Sequence, residues 1–140
     1  MRALLSAVLA ATVAVLPVAA AQATPDVMVV VTEHDFQPST PIAAGPLLWH
    51  FRNDGDEVHQ ARLVRLPDGV NEAEELAWLK DGAEGPEPGS TIRAFDTLAH
   101  GEETSFQTDL TAGRYVLVCA MPEGLGRHFE LGMIYRFSIE

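Results

Sequence analysis

Cysteine occurs once, at Cys119, so no disulfide can form within the chain. Its thiol is left as a buried inert group, an intermolecular bridge or a metal ligand. Basic residues are also scarce, with 9 Lys and Arg against 20 Asp and Glu and a formal charge of −11. That sign makes nucleic acid and anionic membranes poor partners. A basic protein surface suits it, and so does plain solubility. Apolar runs long enough for a membrane are missing too: the one at residues 3–18 is interrupted by Pro17 and falls short of the roughly 20 residues that cross a bilayer. No internal repeat occurs, and no nucleophile-elbow motif accompanies the Ser and Asp residues.

The start of the chain has a recognisable form. Arg2 precedes the apolar run, which ends in small residues that satisfy A-x-A at Ala19-Ala20-Ala21 and again at Ala21-Gln22-Ala23. This pattern predicts a secretory signal peptide over residues 1–21, cleaved near 21 to 23, and hence export to the periplasm or the extracellular space. No cysteine follows to accept a lipid, so no membrane insertion is expected after cleavage. Losing Arg2 takes the formal charge from −11 to −12. The remaining 22–140 is one domain's worth of chain, read as a monomer.

Within that domain the apolar pattern has the period of strands. Val27–Val31 is β-branched and bounded by Pro25-Asp26 and Glu33-His34-Asp35, which predicts a strand with both faces at least partly covered. Two prolines confine Phe36–Ile42 to a sheet edge. Leu47, Trp49 and Phe51 alternate with Leu48, His50 and Arg52; after the Asn53-Asp-Gly-Asp56 turn, His59 shares a face with Ala61 and Leu63. Phe106, Thr108 and Leu110 line one face of a further strand, Tyr115, Leu117 and Cys119 one face of the next, and Met133–Ile139 closes the domain. The period changes only from Gly69 to about Lys80, where Val70, Ala73, Leu76, Ala77 and Lys80 recur at helical spacing, with Asn71 or Asp68 as N-cap. A Gly/Pro-rich loop follows, and 69–98 reads as a helix-and-loop insertion. Many short strands with a turn every ten residues or so predict an all-β fold, a Greek-key β-sandwich or barrel with one short helical insertion.

Cys119 ends an apolar strand. His128 and Met133 follow it, and His59 stands far upstream at the start of another strand. One thiolate, two imidazoles and a thioether are the donor set of a mononuclear blue-copper centre, which needs its ligands held in place because Cu(I) and Cu(II) favour different geometries. Met121 competes with Met133 for the axial position, and Cys with two His is equally a zinc set.

Three stretches resemble the cupredoxins, the plastocyanin/azurin family: Phe36-Gln-Pro-x3-Ile42-x2-Gly45 running on to Phe51-x-Asn53; Asn53-Asp-Gly-Asp-Glu-Val-His59; and Leu110-x2-Gly113-x-Tyr115-x3-Cys119 followed by His128-x4-Met133. The resemblance implies an eight-stranded Greek-key sandwich that binds one type-1-like copper ion through His59, Cys119, His128 and Met133. It also implies that the exposed edge of His128 is the electron exit; Asn53, by the ordinary turn chemistry of its side chain, is expected to brace the loop. The departure is the spacer, Ala120 to Arg127, eight residues where ordinary members carry fewer. Gly124 and Gly126 would fold the excess into a compact excursion and Pro122 would stiffen its base. His34, His50 and His100 are expected to be solvated.

These readings converge on an exported copper-binding protein that passes single electrons to a redox partner protein, possessing no enzymatic activity of its own. Two other readings stay open: a module that binds and delivers copper, and a metal-free domain of the same fold that binds a protein or small ligand.

Overall fold

The computed structural model describes residues 23–140, so the segment read as a signal peptide lies outside the described residues. Two four-stranded sheets face each other. The first has the order β2-β1-β3-β6, from β1 (Asp26–Val31), β2 (Phe36–Pro38), β3 (Gly45–Asn53) and β6 (Glu103–Leu110). The second has the order β10-β7-β4-β5, from β4 (His59–Leu66), β5 (Ser90–Leu98), β7 (Gly113–Val118) and β10 (Ile134–Ile139). The β1–β3 pair is parallel; the other pairs are antiparallel. The Greek-key sandwich expected from the strand pattern is thus the fold.

Alternation fixes what lies between the sheets. Val27, Val29 and Val31, Leu47, Trp49 and Phe51, Ala61 and Leu63, and Tyr115 and Leu117 all point inward and are buried. Trp49 stacks on Phe51 with ring centroids 6.1 Å apart, and its indole N–H donates to Thr108 Oγ1 at 2.9 Å, so its one polar atom is satisfied inside the core. The outer face of β1 is covered only in part, with Val30 half-buried and Met28 37% exposed.

The outside of the second sheet is covered, by the insertion. Val64, Leu66, Val116, Val118 and Ala120 form a second apolar cluster with Leu79 and Phe129, against which Val70, Leu76 and Trp78 pack. The helix α1 (Glu72–Lys80) opens on a capping box in which Asn71 accepts from the Glu74 N–H and Glu74 accepts from the Asn71 N–H. Its buried residues are Glu75 and Leu79, not the Ala73/Ala77 stripe that the apolar spacing suggested. A polar requirement rotates it: the Glu75 carboxylate accepts the Gly89 N–H at 2.8 Å where the loop returns to the sheet. Gly89 comes in so close that a Cβ there would stand 2.5 Å from Val64 Cγ1. Because Ser90–Leu98 is a full strand paired with β4, the part of 69–98 outside the sheets ends at Gly89.

Truncating Leu79 removes most of the apolar link between helix and sheet. Leu79→Ala is expected to cost about 2–4 kcal/mol, and Asn71→Ala about 1 kcal/mol, in urea unfolding followed by Trp78 fluorescence.

Candidate metal centre

Three neighbouring strands of the second sheet bring the site together at one end. His59 is the first residue of β4, Cys119 follows the last residue of β7, and Met133 precedes the first residue of β10. The chain is clasped there by backbone bonds. Cys119 N–H donates to Met133 O at 3.2 Å, Phe129 N–H to Cys119 O at 3.0 Å, and Met133 N–H to His128 O at 3.1 Å.

The eight-residue spacer folds back on itself. Strands β8 (Pro122–Glu123) and β9 (Gly126–Arg127) pair as a hairpin whose two-residue turn is Gly124-Leu125. Gly124 has φ +57, a value that suits glycine at the first position of a tight hairpin turn. His128 N–H then donates to Met121 O at 2.9 Å, so the spacer is closed at its base and His128 returns to Cys119 as a shorter loop would return it. A 3-10 turn, His128–Leu131, leads to Gly132 and Met133. The insertion holds this loop from outside. Lys80 bonds Glu130 at 2.5 Å, and the Arg127 guanidinium donates to Ala120 O and, at 3.4 Å, to Lys80 O at the helix end.

His59, Cys119 and His128 therefore meet in one buried pocket, with at most 3% of any of them exposed. Their donor atoms lie within 4.8 Å of one another. The two Nδ1 atoms are 3.1 Å apart, and Cys119 Sγ is 3.6 Å from His128 Nδ1. Nitrogen and sulfur donors bound at about 2.0–2.3 Å to one ion stand roughly 3–4 Å apart, so the arrangement fits a single copper ion. Gln60 N–H points at Sγ from 3.5 Å, the kind of contact that favours a thiolate. Met133 is fully buried in the core cluster that includes Cys119, whereas Met121 is only partly buried beside it.

Electrostatics disfavour charge on His59 and on Cys119 when no metal is bound. Burial, and then the neighbouring His128, push the His59 pKa down to about 4. Burial raises the Cys119 thiol, with the Gln60 and Met121 N–H groups opposing. A cation would replace the thiol proton and the proton that the two Nδ1 atoms share, which the ring keeps by moving it to Nε2. Asn53 holds the turn leading to His59: its amide donates to Glu57 O at 2.7 Å and Leu98 O at 2.8 Å, and its oxygen accepts from Gly55 N–H at 2.9 Å. It braces the site from the opposite sheet.

The outer side of His128 differs from what the family resemblance implied. No imidazole edge is exposed, since His128 Nε2 lies under Glu57 Oε2 at 3.2 Å and Glu123 Oε2 at 3.6 Å, and His34 meets the His128 ring edge-on with centroids 5.7 Å apart. His34 is not a free surface residue either: its Nε2 bonds Glu123 at 2.9 Å. His100 bonds Gly55 O at 2.8 Å, while His50 is partly exposed on the uncovered sheet face. Sequence reasoning passed over Glu57 and Glu123. The first is two residues before His59 and the second sits inside the spacer, and only the hairpin fold brings them together.

The metal-free protein should lose stability in acid for a stated reason. Between pH 6.5 and about 4 an unfolded His59 takes up a proton that the folded pocket refuses, so stability holds above pH 6.5 and falls through that window. Urea unfolding at pH 7.5 and 4.5 should show a loss on the order of 2 kcal/mol that is absent from His59→Leu.

No protein-family model matches the sequence, and no curated protein matches it. Solved structures do match. An auracyanin from Roseiflexus castenholzii is 19% identical, with 85% of this chain and 99% of that one covered at a TM-score of 0.57. An azurin from Methylomonas sp. strain J is 16% identical, covering 84% and 99% at 0.59. Auracyanin A of Chloroflexus aurantiacus, described as a blue copper protein, is 17% identical, covering 82% and 99% at 0.56. At these identities the likeness is one of backbone, and with two four-stranded sheets and a His-Cys-His pocket at their end the chain has the cupredoxin fold of the azurins and auracyanins.

Proposed function

We propose that this protein is an exported one-electron carrier in which His59, Cys119 and His128 would hold a copper ion, with Met133 as a fourth, weaker donor. The observation that carries the reading is the convergence of two imidazole Nδ1 atoms and one thiol within 4.8 Å in a pocket closed to solvent. When bound, copper would supply a Cu(II)/Cu(I) couple. The chain's part is to keep the donors still. The backbone clasp fixes Cys119 against Met133, the closed hairpin fixes His128, and Asn53 fixes the turn before His59. Donors held by two sheets leave little room to rearrange when an electron arrives, which favours rapid exchange. Among the described residues no helix is long and apolar enough to cross a membrane. The acidic surface favours a redox partner with a basic docking face.

Delivery of copper to another protein is the second reading, and the site geometry argues against it. All three donors are buried, and the loop carrying His128 is pinned by the insertion through Lys80, Glu130 and Arg127. Such a site retains its ion.

One equivalent of Cu(II) added to residues 22–140 should give an intense thiolate-to-copper band in the visible, absent from Cys119→Ser. A colourless wild-type protein whose thiol still reacts freely would end the copper reading. Met133→Leu should keep the colour and raise the reduction potential, because Cu(II) loses a donor, whereas Met121→Leu should leave the potential unchanged; cyclic voltammetry separates the two.

A further inference from the structure

Above the pocket stands a second group of donors that the electron-carrier reading does not use. His34 Nε2 and carboxylate oxygens of Glu57 and Glu123 lie within 4.8 Å of one another. The strands place them from three directions: His34 from the turn after β1, Glu57 from the turn before β4, Glu123 from the β8–β9 hairpin. Two carboxylates so close repel each other, and among the described residues neither forms an ion pair with Lys or Arg. Among the described residues Glu123 pairs with His34 and His128, and Glu57 with His128.

A fourth donor comes from below. His128 is 97% buried, and its Nε2 lies 3.2 and 3.6 Å from the pair. Neither contact is a hydrogen bond, for Glu57 Oε2 is itself buried with no hydrogen-bond partner and the Glu123 distance is too long. A buried carboxylate oxygen thus stands beside an imidazole nitrogen without a bond that satisfies it. Such an oxygen is costly unless something else satisfies it.

We infer that His34, Glu57, Glu123 and the Nε2 of His128 form a second cation site, for a divalent ion of the zinc class, which shares the His128 ring with the pocket below. Mixed imidazole and carboxylate donors suit zinc, and the two carboxylates match its charge. The side chains of His34, Glu57 and Glu123 are each 36–43% exposed, so they are free to close the last ångström around an ion. The protons balance. With the lower pocket empty, zinc on Nε2 leaves the ring proton on Nδ1, where His59 Nδ1 accepts it at 3.1 Å. With the lower pocket filled, both ring nitrogens are bound and one proton leaves to solvent.

The test uses zinc as the probe and does not depend on copper. Calorimetric titration of Zn(II) into Cys119→Ser, which disables the lower pocket, should show one bound equivalent. Adding Glu57→Gln and Glu123→Gln to that background should weaken it roughly 100-fold, and His34→Gln at least about 10-fold, with unchanged thermal melts. Retention of full affinity in the Gln variants would overturn the inference, as would no binding by a folded Cys119→Ser protein. So would His34 ring NMR signals that do not move at saturating zinc, since that ring would then hold no metal. In the wild-type protein, a copper band that zinc perturbs supports the shared ring. A blue protein indifferent to zinc would sink the second site alone, and a protein colourless with copper that still binds zinc through Glu57 and Glu123 would sink the copper reading alone.

Discussion

The backbone clasp around Cys119 is the constraint on which the rest of the site depends. One amide and one carbonyl of this residue are committed, the first to Met133 O and the second to Phe129 N–H, so the strand that carries the thiol is tied to both ends of the turn that carries His128. Because β7 lies between β4 and β10, the same position neighbours His59 on one side and Met133 on the other. Four candidate donors spread over 75 residues of sequence thereby occupy one end of one sheet. The buried hydrogen bonds are what make the arrangement stiff, since breaking any of them leaves a polar group without a partner away from water.

A long spacer would ordinarily loosen such a site, and here three features offset its length. The hairpin confines the extra residues to Pro122–Arg127, the Met121–His128 bond closes its base, and the helix of the insertion grips it through Arg127 and Glu130. Insertion and long loop are therefore parts of one device. The insertion covers the outer face of the second sheet, and its end supplies the contacts that a shorter loop would not require.

Much of this was legible in the residues. Alternation of apolar positions told inward from outward faces in β3, because a sheet with one wet face leaves a period of two. His59, Cys119 and His128, which the fold brings into one pocket, stood out by type and spacing, and the hydrogen-bonded turn at Asn53 was signalled by Asn53-Asp-Gly. The face of α1 was not, because the residue that orients it, Glu75, is polar and its partner Gly89 lies beyond the helix. Nor was the cover over His128. A glutamate in a turn and another in a spacer have no pattern of their own, and an acidic chain offers many such residues.

The sequence by itself determined the fold class, most of the strands with their inward faces, and the residues available to a metal, since these follow from local periodicity and side-chain chemistry; the strand Ser90–Leu98 was not among them. Only the tertiary structure decided that the eight-residue spacer closes as a hairpin, that the insertion anchors it, and that Glu57, Glu123 and His34 close over His128. Those outcomes rest on pairings between residues up to 89 positions apart, as in His34 with Glu123, and no local signal in a chain encodes a meeting at that range.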